Sequence, residues 1–152
     1  MFKFHVTGCL LILINMVTAQ TVRFNYIPVE NTITRSYISD LLQDENGFIW
    51  IASVQGLGRY DGHDMEIFNF IKNNQQSLCS NSVQSLYAAS DGKIWIGTKG
   101  GLSMYDPESE NIACLALDDS FTPHNTEIIL DVIEDKRGYI WYTTYNLSLI
   151  HI

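Results

Sequence analysis

Gly92-Lys93-Ile94-Trp95-Ile96-Gly97-Thr98-Lys99-Gly100-Gly101-Leu102-Ser103-Met104-Tyr105-Asp106 decides the reading of this chain. A glycine turn leads into an apolar strand centred on tryptophan. A second glycine turn returns the chain into a strand that ends on Tyr-Asp. Forty-five residues earlier stands Gly47-Phe48-Ile49-Trp50-Ile51-Ala52-Ser53, and forty-six later Gly138-Tyr139-Ile140-Trp141-Tyr142-Thr143-Thr144. All three tryptophans of the chain, Trp50, Trp95 and Trp141, fall on one repeat position, as do the turn glycines Gly47, Gly92 and Gly138. Self-similarity at such a period marks a repeat architecture.

Each copy has a physical reading. A first strand carries Ile38 and Leu41, Val83 and Leu86, or Val132 and Ile133. A polar turn follows, in which glycine supplies positive φ and Asp or Asn braces the backbone. The Ile-Trp run suits a strand covered on both faces. After the turns at Gly56 and Gly100-Gly101, a third strand ends at Asp61-Gly62 and Asp106-Pro107, which mark reversals. Weaker fourth strands run over Met65–Phe70 and Ile112–Ala116. Four short antiparallel strands per repeat are the unit of a β-propeller blade, whose two apolar faces need neighbours. The expected fold is all-β: a partial β-propeller of about two and a half blades, with each tryptophan an inter-blade wedge. No strand is followed by a helical pattern, which argues against a βαβ fold.

Composition agrees. The 152 residues hold 46% apolar and 12% aromatic side chains, too many for a disordered chain. Nine Lys and Arg against 17 Asp and Glu argue against a nucleic-acid partner, which needs basic groups on phosphates. Residues 1–19 read as a secretory signal, with Lys3, an apolar core at Cys9–Ile14 and small residues at Val17 and Ala19. The core is short for a membrane span. Val6-Thr7-Gly8-Cys9 precedes that core, so it is not a lipoprotein box. Cleavage leaves Cys79 and Cys114 in a compartment that permits disulfides, and the residues leave their pairing open.

The pattern Asp-x-x-Gly-x-Ile-Trp-Ile-Gly-Thr-x-x-Gly-Leu-x-x-Tyr-Asp resembles the two-component regulator propeller repeats, matched nearly letter for letter by Gly92–Asp106. The resemblance covers about residues 22 to 146, with Ala52-Ser53 replacing Gly-Thr in the first copy. It implies the N-terminal periplasmic region of a Bacteroidota hybrid two-component sensor. In that family seven-bladed propellers precede a β-sandwich, a membrane helix, a histidine kinase core, a receiver and a DNA-binding output domain. It further implies an oligosaccharide ligand, a homodimeric full-length receptor in the inner membrane, and membrane contact only through a later segment. Phe24-Asn25-Tyr26-Ile27-Pro28 resembles the strand that completes the last blade. The alternative is a secreted propeller without a kinase, serving as a carbohydrate-binding module, a hydrolase scaffold or an interaction scaffold.

The expected organisation is a signal at 1–19, a leader at 20–36, blade 1 at 37–81, blade 2 at 82–127 and the start of blade 3 at 128–146. The similarity stops after Asn146. Leu147–Ile152 is what CTG-TCT-CTT-ATA-CAC-ATC encodes, a string resembling a transposon-end adapter, so 147–152 read as a non-native tail. On that reading Asn146-Leu147-Ser148 is no glycosylation signal, and the chain is expected to be marginally folded or to aggregate through open blade faces.

No catalytic residue, cofactor site or metal site is expected. His5, His63, His124 and His151 are scattered, and no His/Cys spacing fits zinc. Asp44-Glu45-Asn46-Gly47 places glycine fourth and Gln55 twelfth, unlike a calcium loop. Asp118-Asp119 and Glu134-Asp135 lie in or beside expected turns and lack a nucleophile or base partner. The candidate ligand contacts are Asn73, Asn74 and Gln75, in the amide-rich connector from Lys72 to Asn81. Such amides suit sugar hydroxyls, although composition alone favours a solvated connector.

Overall fold

The Ile-Trp runs form the second strand of each of three sheets in the computed structural model, which describes residues 33, 36–115, 128–145 and 150–151. The signal, the leader strand at Phe24–Pro28, Asp118-Asp119, His124 and Asn146–Leu149 lie outside the described residues. Blade 1 is built from β1 (Ile38–Gln43), β2 (Ile49–Ser53), β3 (Gly56–Tyr60) and β4 (Met65–Phe68). Blade 2 is built from β5 (Val83–Ala88), β6 (Ile94–Thr98), β7 (Gly101–Asp106) and β8 (Asn111–Cys114). Both sheets run in sequence order with every neighbour antiparallel. The third sheet has β9 (Ile129–Glu134), β10 (Ile140–Thr144) and the two-residue β11 (Ile150–His151). The fold is all-β, and the outer strands stop two residues short of the expected ends at Phe70 and Ala116. Although the repeat similarity ends at Asn146, β11 pairs Ile150 with Tyr142 and His151 with Trp141. An unfinished sheet edge offers free N–H and C=O groups that need no repeat sequence to pair.

The first strand of each blade carries an irregularity at one repeat position. Register slips between Ile38 and Asp40, between Val83 and Ser85, and beside Thr143/Thr144 opposite Ile129 and Asp131. The extra residues are Ser39, Gln84 and Leu130, each eleven before its tryptophan. A bulge shifts the period-2 alternation by one. Val83 and Leu86, at an odd spacing, therefore face the same side and enter one core cluster, and Ile129 with Val132 repeat this in the next.

Each blade consequently has a tryptophan face and an isoleucine face. Trp50, Ala52 and Leu57 of blade 1 pack on Val83, Leu86, Ile94 and Ile96 of blade 2. Trp95 and Leu102 of blade 2 pack with Ile129, Val132 and Ile140 of blade 3. The Trp50 ring lies 4.7 Å from Tyr105 and 5.9 Å from Phe68. Three hydrogen bonds stitch the first junction: Leu86 N–H to Asp40 Oδ2 at 2.8 Å, Ser39 Oγ–H to the Val83 carbonyl at 2.7 Å, and the Arg59 guanidinium to Tyr105 Oη at 2.6 Å. At the second, Ser90 donates its N–H and hydroxyl to Glu134 at 2.7 and 2.6 Å. The outermost faces are covered less completely: Leu41 is 62% exposed and Ile133 52%, whereas their counterparts Leu86 and Val132 are buried and Tyr87 is half-buried, although on blade 1 Ile51 is buried and Ile33, itself buried, lies against Gly58.

Candidate functional site

The repeat residues build one local device. Gly47, Gly92 and Gly138 adopt φ of 88°, 83° and 85°, left-handed values that favour glycine, and each donates its N–H back across the turn. Asp44 accepts from the Asn46 and Phe48 amides with one oxygen and from the Trp50 indole, at 2.7 Å, with the other. Asp135 repeats this with Arg137, Tyr139 and Trp141. Burial pulls the Asp135 carboxyl upward, but the indole and the two amides outweigh it and hold it below the ordinary value. Blade 2 has Ala89 at this position, so Trp95 lacks the aspartate, and Asp91 instead accepts from the Lys93 amide. The three tryptophans share a strand position but not a setting. Trp50 is fully buried, while Trp95 and Trp141 are half-buried. The sequence held the signal for the indole acceptor: aspartate stands six residues before tryptophan in the first and third copies only.

Antiparallel alternation puts the β1–β2 and β3–β4 turns at one end of a blade. The β2–β3 turn and the connector to the next blade lie at the other. The connector end holds Asn73, Asn74 and Gln75 together. Cys79 and Cys114 are joined as a disulfide with Cα atoms 4.9 Å apart, which settles the pairing the residues left open. The bridge ties the connector to β8. Around it the Cys114 amide donates to the Gln75 carbonyl at 2.8 Å and the Cys79 amide to Ser103 Oγ at 2.9 Å. Ser77 Oγ accepts from the Ile71 amide and donates to the Asn74 carbonyl, fixing the loop internally. Gly100 lies so close beneath that a β-carbon there would stand 2.6 Å from the Cys79 carbonyl oxygen. The outcome is an open cleft of about 500 Å3 with Phe70 and Ile71 at its edge and Asn73, Asn74, Gln75 and Gln76 along it. Asn73 sits at φ 63°, a value asparagine tolerates. Amides beside an exposed ring can hydrogen-bond hydroxyls and cover an apolar sugar face.

A smaller cleft, about 140 Å3, opens at the opposite end between blades 1 and 2. Its charged groups are Asp44, Glu45, Glu110 and Arg59. Arg59 is already engaged, donating to Tyr105 Oη and to Glu66, both at 2.6 Å. Its guanidinium stands 4.8 Å from the Phe48 ring centre and 5.6 Å from that of Tyr105, within cation–π range. Burial pushes the Tyr105 phenol above its ordinary value, and nearby Arg59 opposes this. Neither cleft aligns a nucleophile with a base and an orienting group. Among the described residues no three His, Cys, Asp or Glu side chains are grouped to hold a metal ion.

Residues 32–55 and 77–100 match the family model described as two component regulator propeller. These spans contain the first two strands of blades 1 and 2. No curated protein matches the chain. Among solved structures, the extracellular domain of BT3049, assigned to a hybrid two component system of B. thetaiotaomicron, aligns with a TM-score of 0.66 at 22% identity, over 77% of this chain and 17% of that one. The corresponding domain of BT4673 from the same organism gives 0.63 at 22%, over 77% and 16%. PorZ, a surface component of the type-IX secretion system of Porphyromonas gingivalis, gives 0.58 at 12%, over 76% and 19%. At these identities the likeness is one of fold, and this chain spans under a fifth of each relative. Residues 32–55 and 77–100 thus carry the two component regulator propeller repeat, and the blade topology is that of the extracellular domains of BT3049 and BT4673.

Proposed function

We propose that this chain is the exported, ligand-sensing propeller region of a two-component signalling receptor, and that its ligands are oligosaccharides released from glycans. The observation that carries the reading is the regulator-propeller repeat, matched twice in phase with blades 1 and 2. The Cys79–Cys114 bridge supports an oxidising, extracytoplasmic compartment. The relatives BT3049 and BT4673 are extracellular domains assigned to two component systems. The cleft along Asn73, Asn74 and Gln75 supplies the recognition chemistry. In this reading the chain binds and does not catalyse. Phosphotransfer belongs to a histidine kinase portion of the longer receptor, which ligand-dependent reorientation of propellers across a dimer would control through a membrane helix.

The test is calorimetric titration of the full-length receptor's extracellular region with a panel of plant and host oligosaccharides. Alanine substitutions at Asn73, Asn74 and Gln75 accompany it. One oligosaccharide should bind, and the substitutions should weaken it about tenfold or more, as expected when hydroxyls lose their partners. Binding unchanged in the triple variant removes the cleft from the reading. A gene that stops after the propeller, with no kinase, replaces the receptor by a secreted binding protein.

A further inference from the structure

The connector after blade 1 is satisfied along its backbone and open at its side chains. The Phe70 amide donates to Asn81 Oδ1 at 2.6 Å and the Ile71 amide to Ser77 Oγ at 3.1 Å. The Asn74 amide closes a turn on the Ile71 carbonyl, the Asn74 carbonyl accepts the Ser77 hydroxyl, and the Gln75 carbonyl accepts the Cys114 amide. With the disulfide behind it, the loop needs no further partner to hold its path. Among the described residues, the side-chain amides of Asn73, Gln75 and Gln76 make no hydrogen bond, and Asn74 engages only its Oδ1, with the Gln76 amide. Four carboxamides therefore stand together along the cleft with most of their donors and acceptors uncommitted.

Charge narrows what they can take. No residue lining the cleft is ionisable, since Cys114 is held in the bridge. Lys72 belongs to the connector but does not line the cleft. The cleft at the opposite end differs, with Asp44, Glu45, Glu110 and Arg59 in its wall. The chain as a whole has 17 Asp and Glu against 9 Lys and Arg. A carboxylate or sulfate entering the connector cleft would lose water, meet no cation and face a net negative field. A hydroxyl both donates and accepts, as a carboxamide does, so the two pair without taking a charge out of water. Phe70 and Ile71 are 46% and 55% exposed at the same cleft, and an exposed ring can cover the flat C–H face of a pyranose.

We infer that the connector cleft selects neutral oligosaccharides over acidic ones, with Phe70 stacked on a pyranose face and the Asn73–Gln76 amides paired with its hydroxyls. The inference rests on the oligosaccharide reading of this cleft and adds the chemical class of the sugar. Selectivity arises from the missing cation as much as from the amides present: a neutral sugar needs none, and a uronic acid does.

Calorimetric titration of the full-length protein with cellotetraose, mannotetraose and galactotetraose, each beside its C6-oxidised uronate counterpart, tests this. At least one neutral tetraose should bind, and its uronate should bind about tenfold or more weakly. Phe70→Ala should weaken the neutral ligand about fivefold, and Phe70→Trp should restore it. Gln75→Lys sets a cation in the cleft and should narrow or reverse the gap within the pair. Phe70 and Gln75 are exposed, so circular dichroism should report unchanged folding. A uronate that binds as well as its neutral partner, a preference that Gln75→Lys does not move, or a Phe70→Ala variant that binds like the wild type overturns the inference. If uronate binding is lost on alanine substitution of Asn73, Asn74 and Gln75, the saccharide reading stands and only the neutral class falls. No binding from any of the six also overturns the inference, and the wider oligosaccharide panel then decides the underlying reading.

Discussion

Gly97 and Ser85 face each other across β5 and β6 so closely that the serine hydroxyl fills the space a β-carbon on Gly97 would need. That hydroxyl is buried and has no hydrogen-bond partner. Gly97→Ala should therefore cost about 1–3 kcal/mol by overpacking. Ser85→Ala alone should be neutral or stabilising, because it removes a buried polar atom that gains nothing. Adding Ser85→Gly to Gly97→Ala should recover only part of the loss, since Ile129 Cγ2 also crowds the site at 3.0 Å. Urea midpoints of the four proteins decide it, and full recovery would exclude Ile129 as a contributor.

The tryptophans should not be equal in energy. Trp50 is fully buried and anchored on Asp44, so Trp50→Ala should cost about 3–5 kcal/mol. Trp141 has the same anchor but is only half-buried, so Trp141→Ala should cost well under half of that. Equal shifts in thermal midpoint would refute the assignment of the wedge role by burial.

Reduction should loosen the connector before the sheets. The Cys79–Cys114 bridge spans 35 residues of sequence, and closing such a loop stabilises by about 3–4 kcal/mol in the chain-entropy account. Dithiothreitol, or Cys79→Ser with Cys114→Ser, should lower the unfolding midpoint and speed amide exchange at Asn73–Gln75 first. Exchange that rises uniformly across blade 2 would contradict a local clamp.

Acid should weaken the third sheet at its turn. The Asp135 carboxyl is held below its ordinary value of 3.8 in the fold, so its contribution is present at neutral pH and is lost as pH falls through that lowered value. Asp61 behaves likewise, its carboxylate held down by the amides of Asp64 and His63. The expected window lies below about pH 4. Nuclear magnetic resonance of the Trp141 indole N–H against pH follows it directly. An indole signal that does not move between pH 5 and the onset of unfolding, in a protein whose Asp135 titrates, would dissociate the two groups.

The strand order was legible because a 45-residue period repeats three chemical events together: a positive-φ glycine, an indole, and a second reversal at Gly56 or Gly101. The bulge was not. Ser39, Gln84 and Leu130 share no side-chain chemistry, because what matters there is backbone slip, which any residue can supply. Without the slip, Leu41 and Ile133 read merely as apolar strand residues, and which faces they occupy stays hidden. The disulfide was equally opaque. Two cysteines 35 residues apart meet only because the connector doubles back beside β8. For the candidate site, composition singled out Asn73–Gln75, but the neighbouring ring of Phe70 and the anchoring by Ser77 emerged only from the path of the loop.

Blades 1 and 3 carry aspartate at two shared positions, Asp40 with Asp44 and Asp131 with Asp135, where blade 2 has Ser85 and Ala89. The units are therefore not interchangeable tiles. A shuffled gene that moved the middle sheet to the front would set Trp95, which has no aspartate acceptor, against Ile38 and Leu41 instead of Ile129 and Val132. The order of modules along the chain is thus written into the few side chains that differ between them, rather than into the many that recur.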